Sequence, residues 1–161
     1  QNRTESNDQK GWVGNDGGFI YMPGTNTAPY EGTKSYGAIT AAGLLSLILT
    51  GADKKDPRVV AAYDWIKKNY TLDTNPNTGS AAGLYYYYWA YAQAMSAMGD
   101  AEIVDGKGVK HNWRNELVEK LLSMQNPDGS WINKESQNFM QGNPVLVTAW
   151  AVNALNFALK P

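Results

Sequence analysis

The feature that most constrains this chain is an alternation between two kinds of helical segment. Residues 35–50, 83–99 and 144–159 are apolar nearly all round, with hardly any charged face. Residues 57–69 and 112–125 carry an apolar stripe opposite a charged face. In the first of these two, Val59, Val60, Tyr63, Ile66 and Tyr70 recur at helical spacing, opposite Arg58, Asp64, Lys67 and Lys68. In the second, Trp113, Leu117, Leu121 and Met124 oppose Arg114, Glu116, Glu119 and Lys120. A helix that is apolar all round must be buried, whereas an amphipathic one covers a core from outside. The alternation therefore predicts an all-α protein of two layers, about three αα-hairpins. Its inner helices fall at about 35–50, 83–99 and 144–159, and its outer helices at about 57–69 and 112–125.

The boundaries have local causes. Ser35 is positioned to cap the first helix, and Gly51 stops it. Asp56-Pro57 and Asn143-Pro144 each read as a capping residue followed by a proline at the first helical position. Gly99 ends the third helix. Along the last helix Val145, Thr148, Val152, Leu155 and Leu159 form one apolar stripe, and Ala149, Trp150, Ala151 and Ala154 leave little charge elsewhere. The connections at 71–82 and 100–112 read as loops.

The unit repeats. Gln125-Asn126-Pro127-Asp128-Gly129-Ser130-Trp131 is a tight turn that leads toward the last inner helix. Asp16-Gly17-Gly18-Phe19 is a weaker copy that precedes the first one. Thr40-Ala41-Ala42-Gly43-Leu44-Leu45-Ser46-Leu47 aligns with Thr148-Ala149-Trp150-Ala151-Val152-Asn153-Ala154-Leu155. Such hairpins stack because one alone cannot bury its apolar face. Residues 1–10 read as a polar tail. Residues 11–161 read as a single repeat domain, in which Trp12, Phe19, Ile20 and Tyr21 need burial.

Charge and composition narrow the function. The net charge of -1 gives no electrostatic case for nucleic acid or an anionic membrane. No run is long and apolar enough to span a bilayer. No leader is visible; an N-terminal Gln able to cyclise hints at export after processing. There is no cysteine and a single histidine, His111, which reads as a surface residue. No metal site or cofactor motif is expected. Asn2-Arg3-Thr4 and Asn69-Tyr70-Thr71 match glycosylation acceptor patterns, relevant only in a eukaryotic secretory setting. Six Trp and ten Tyr against three Phe form an aromatic set suited to wet clefts and ligand stacking.

The Gln-x-x-Asp-Gly-Ser-Trp motif at 125–131, between an amphipathic helix and an apolar one, resembles the QW repeat of squalene–hopene and oxidosqualene cyclases. More broadly it resembles the prenyltransferase and squalene-oxidase repeat. Ser35-Tyr36-Gly37 through Leu47, Asp56-Pro57-Arg58 to Tyr70, and Gly83-Leu84-Tyr85-Tyr86-Tyr87-Tyr88 extend the likeness to bacterial squalene-cyclase-like proteins. The resemblance implies an α/α-toroid around a central cavity. It also implies that Gln125 bonds exposed backbone at helix ends with Trp131 stacked on it, Asp128 and Gly129 shaping the turn. With about three hairpins the chain is expected to be a partial toroid, completed by the remainder of a larger chain or by a homo-oligomer.

The chemistry that such families use is not present. The Asp-x-Asp-Asp run of class II terpene cyclases is missing, and Asp53-Lys54-Lys55-Asp56 reads as a loop and a helix cap. The zinc chemistry of protein prenyltransferases is excluded by the absence of Cys. Asp16, Glu31 and Glu135 are the catalytic candidates, because loops entering inner helices border a toroid's cavity; Asp16, like Asp128, is also explained by its turn. Tyr36, Tyr85, Tyr86, Tyr88 and Trp89, with Tyr87 in the same run, are the ligand-binding candidates. Their rings suit either a carbocation or a pyranose face. Asn153 and Asn156 are unusual polar residues on an apolar helix. The expectation is a squalene-cyclase-like repeat domain that lines an aromatic cavity and binds an apolar or carbohydrate small molecule, without a complete catalytic apparatus of its own. The alternatives are one part of an active class II terpene cyclase whose acidic motif lies elsewhere, or a glycan-active toroid enzyme.

Overall fold

The computed structural model describes residues 1–7, 14–22 and 33–160. Among these, five α-helices dominate: α1 (Gly37–Leu49), α2 (Pro57–Lys68), α3 (Leu84–Met98), α4 (Trp113–Ser123) and α5 (Pro144–Ala158). A 3-10 turn spans Asn138–Met140. Among the described residues the fold is all-α apart from one small ribbon in the 100–112 connection, which the sequence reads as loop. There β1 (Ile103–Val104) pairs antiparallel with β2 (Lys110–His111), with Ile103 opposite His111. Asp105 makes the turn between them, its carboxylate accepting from the backbone N–H of Lys107 and Val109, each at 2.8 Å.

Helix α3 packs between α1 and α5, while α2 packs on α1 and α4 on α5. Rings extend these contacts: Tyr91 of α3 meets Tyr70, just beyond α2, and Trp113 of α4. Two bonds converge on Asp100, just after α3. The Tyr63 hydroxyl donates to its carboxylate at 2.6 Å and the Trp113 indole to its carbonyl at 2.8 Å.

The apolar helices are not equally enclosed. Helix α3 is buried on nearly every side, because it has a neighbour on each flank. Helices α1 and α5 keep an outward flank. Leu49 is 75% exposed, and Val145 and Leu159 are 79% and 69% exposed. The apolar stripe read along α5 is not its buried face. Val145, Val152 and Leu159 face out, Thr148 and Leu155 are half-buried, and the inward face is Val147, Ala151, Ala154 and Ala158. With no charged residue to mark a solvent side, size decides. Small side chains let α5 approach the ring-filled α3, and larger ones there would overpack.

Capping also differs from expectation in one place. Asp56, Asn112 and Asn143 cap α2, α4 and α5 with their own side chains. Ser35 does not cap α1; its hydroxyl donates to Asp16 Oδ1 at 2.8 Å. The first turn of α1 is instead satisfied from the next loop, where buried Asn75 accepts from the Ala38 N–H at 2.9 Å. The first turn of α3 is served in the same way by buried Gln141, which accepts from the Tyr85 N–H at 3.3 Å. Each such amide locks one apolar helix to the loop that precedes the next. The polar N-terminus expected as a tail is anchored at its start. Asn2 is buried and donates to the Thr33 carbonyl and Ser35 hydroxyl, and Gln1 donates to the Gly17 and Arg58 carbonyls.

Candidate functional sites

The repeated turns are the most regular feature of the structure. In both copies the Asp carboxylate accepts from the backbone N–H two residues on, Gly18 and Ser130, each at 3.0 Å. In both, the aromatic residue's backbone N–H donates to a threonine of the following apolar helix. Phe19 reaches Thr40 at 2.9 Å and Trp131 reaches Thr148 at 3.0 Å. Gln125 departs from the role that the resemblance implies. Its side-chain amide donates to Gly129 O inside its own turn, at 2.9 Å. The helix-end carbonyl is reached by Trp131, whose indole donates to Leu121 O in the last turn of α4 at 2.8 Å.

Among the cavities between these elements, three are lined by the described residues that bear on the candidates. The first, about 550 Å³, opens at the N-terminal ends of α1, α3 and α5. Tyr36, Ile39, Tyr86, Leu146 and Trp150 form its walls, with Tyr21, Phe139 and Met140 at its edge. No charged side chain belongs to its described lining. The Tyr86 ring meets Trp150 edge-on at 5.7 Å and leans on Trp89 at 5.5 Å. Burial raises the pKa of the Tyr86 hydroxyl, which therefore stays neutral. Phe139 and Met140 hold φ near +60°, a left-handed conformation that side chains with a Cβ seldom adopt. That strain turns two large apolar side chains into exposed positions at the edge of the cavity.

The second cavity is a polar cleft of about 580 Å³ between the end of α2 and α4. The Tyr70 hydroxyl donates to Glu116 Oε2 at 2.8 Å, and His111 Nδ1 lies 3.0 Å from the same oxygen. The Tyr70 and His111 rings touch in a tilted arrangement, their centroids 4.3 Å apart. His111 Nε2 sits 3.4 Å from Asp105 Oδ2, close enough for an ion pair but not aligned as a hydrogen bond. Asp105 is held below the ordinary carboxylate range chiefly by the Val109 backbone N–H, then by those of Lys107 and by His111. Lys120 closes the cleft on Asp73 at 2.6 Å. His111 is thus a half-buried cross-brace with a carboxylate at each ring nitrogen, not the surface residue expected.

The third, about 310 Å³, lies between Ala81, Leu84 and Tyr85 on one side and residues 123–127 and 132–135 on the other. Burial pushes the Tyr85 hydroxyl up to about 12.

The candidates therefore part company. Tyr36 and Tyr86 line the aromatic cavity, and Trp89 backs it. Tyr85 lines the third pocket. Tyr88 is core, its hydroxyl donating to Leu72 O at 2.5 Å, and Tyr87 likewise donates to Thr71 O at 3.1 Å. Asp16 is saturated by Gly18, Ser35 and the Trp65 indole, and it sits where α1 meets α2. Glu135 borders the third pocket, so the two carboxylates serve different places. Glu31, like Trp12, lies outside the described residues. Asn153 bonds back to the Ala149 carbonyl of its own helix at 2.8 Å. Sequence reasoning missed Trp150, although it stands where the aligned copy has Ala42. It also missed Phe139 and Met140, whose backbone conformation leaves no mark in sequence. Among the described residues, no group of three His, Cys, Asp or Glu side chains is placed to hold a metal ion, and no helix is long and apolar enough to cross a membrane. No family model matches the chain, and neither does any curated protein or solved structure.

Proposed function

We propose that this chain is a squalene-cyclase-like helical-repeat module that holds an apolar small molecule in the cavity at the head of α1, α3 and α5. The observation that carries this reading is the lining itself. Tyr36, Tyr86 and Trp150 with Ile39 and Leu146 offer rings and aliphatic surface, and no described lining residue is charged. About 550 Å³ is within the range of small-molecule sites. Contact with the rings' negative faces would also suit a cationic intermediate. If this cavity belongs to an active terpene cyclase, its proton donor comes from outside the described lining.

The partial toroid is part of the same proposal. The apolar flanks left open on α1 and α5 support a ring continued by further helices, from a longer chain or a second copy. Light scattering on the isolated chain, with Val145→Glu and Leu159→Glu beside it, reads whether copies close the ring themselves.

The binding test is tryptophan fluorescence of the whole chain titrated with farnesol and with squalene. Saturable quenching is expected for one or both, weakened at least tenfold by Trp150→Ala combined with Tyr86→Ala. Linear, unsaturable quenching, or saturation indifferent to both substitutions, would refute the reading.

A further inference from the structure

Independently of the aromatic cavity, we propose that the pocket between the start of α3 and the Gln125–Trp131 turn binds a neutral carbohydrate, a mono- or disaccharide. The first observation is an orphan. Tyr85 is only 1% exposed, it lines this pocket, and its hydroxyl has no hydrogen-bond partner among the described residues. Its neighbours in the same run do not share this state, since Tyr87 and Tyr88 both donate to backbone carbonyls. A buried hydroxyl left unpaired is costly, so a phenol kept at this position, where phenylalanine would pack equally well, points to a partner. The pocket is larger than that need alone. Its roughly 310 Å³ would hold about ten waters, where one would satisfy the phenol.

The rim says what kind of partner fits. The side-chain amides of Gln125 and Asn126 are tethered through their nitrogens, to Gly129 O and Ser130 Oγ, which leaves both oxygens as oriented acceptors. Ser123 adds a hydroxyl whose proton is already given to Lys120 O. Lys134 and Glu135 bring one charge of each sign, and neither makes an ion pair among the described residues, so the rim carries no net charge. Leu84, Pro127 and Ile132 provide apolar surface between these polar groups. Neutral acceptors, balanced charge and interleaved apolar patches match a polyol ring, whose hydroxyls both donate and accept while its C–H face is apolar. Among the described lining residues Glu135 is the only carboxylate. Cleavage of a glycoside uses a pair, so the site as built binds sugar and does not cut it.

The test is isothermal titration calorimetry of the whole chain with maltose, cellobiose and N,N′-diacetylchitobiose, and with glycylglycine as a zwitterionic control. Saturable heat with at least one saccharide is expected at millimolar concentration. Tyr85→Phe should weaken it tenfold or more without lowering Tm, since the hydroxyl has no partner among the described residues to lose. Ile132→Trp, which fills the pocket, should abolish it and gives the same reading should the Phe variant fold poorly. No saturable heat with any of the three, unchanged affinity in both variants, or binding of glycylglycine in place of saccharides would each overturn the proposal.

Discussion

The two copies of the Asp-Gly-x-aromatic turn solve one problem with opposite polarity. Each must tie an amphipathic helix to the turn that leads toward an apolar helix, and each uses an indole N–H. In the N-terminal copy the indole is on the amphipathic helix: Trp65 of α2 donates to the Asp16 carboxylate at 3.1 Å. In the C-terminal copy it is on the turn: Trp131 donates to the Leu121 carbonyl of α4 at 2.8 Å. Once the amphipathic helix supplies the indole, the turn needs only an aromatic wedge, and Phe19 suffices. Its ring lies against Gly43, where an added Cβ would come within 2.6 Å of it. The small residue after Asp-Gly follows the same division. At Gly18 a Cβ would collide with Ser35 at 2.4 Å, whereas Ser130 has room to bond Asp128. What is retained between the copies is the backbone circuit from turn to threonine; what varies is the side that carries the ring.

The largest effect should come from the copy in which one residue does both jobs. Trp131→Ala removes a nearly buried indole and its bond to α4, and truncations of this kind cost about 3–5 kcal/mol. Phe19→Ala, at a half-buried ring with no polar bond of its side chain, should cost distinctly less. Urea unfolding of the two variants checks the order. Equal losses would mean that the copies are energetically equivalent, and the division of labour drawn above would fall.

The glycines of the two turns sharpen the comparison. Gly17 and Gly129 have nearly the same φ, +84° and +83°. Both substitutions to Ala therefore carry the left-handed penalty of roughly 1–2 kcal/mol. Only Gly17 adds a clash, because its Cβ would stand 2.7 Å from the Ala61 carbonyl of α2, while around Gly129 the nearest atom is 3.9 Å away. Gly17→Ala should lower Tm several degrees more than Gly129→Ala. A smaller shift at Gly17 would show that α2 can yield there.

Most of this architecture was legible from residue order. The five helices begin and end within two residues of their expected bounds, because prolines, capping residues and glycines punctuate them. The Thr40–Thr148 alignment was legible too, and it holds down to the same hydrogen bond. What was not legible depended on neighbours. Uncharged α5 gives no sign of which stripe faces α3. Tyr85 to Tyr88 are identical in sequence, yet one lines a pocket, one lines the cavity and two bond backbone. The capping of α1 by Asn75 and of α3 by Gln141 is long-range, and no local pattern announces it.

The threonines test the circuit that both copies keep. Thr40→Val or Thr148→Val conserves shape but strands the backbone N–H of Phe19 or Trp131. An unsatisfied donor of this kind costs about 1–3 kcal/mol when buried. Thr40 is fully enclosed and Thr148 is half-buried with more access to water, so Thr40→Val should sit at the upper end. Chemical denaturation, together with faster amide exchange at residue 19 or 131, reads the effect at its source.

The smallest expected effect separates two caps that the sequence writes alike, Asp56-Pro57 and Asn143-Pro144. Both side chains accept from the first turn of their helix, but only Asp56 can titrate. Its carboxyl is lowered to about 2, first by the Arg58 side chain and then by the Arg58 backbone N–H. Between an ordinary carboxylate pKa near 4 and about 2, the unfolded chain binds this proton and the folded chain does not. The cap's contribution is therefore fully present above that window and is lost as pH falls through it. Asp56→Asn keeps an acceptor at the cap and removes the titration. The difference in stability between wild type and Asp56→Asn should shrink as pH is lowered from 5 to 2, while that between wild type and Asn143→Ala, about 1 kcal/mol, should hold steady. The Asp56 exchange with Arg58 is solvent-exposed, so added salt should flatten the first slope and leave the second untouched.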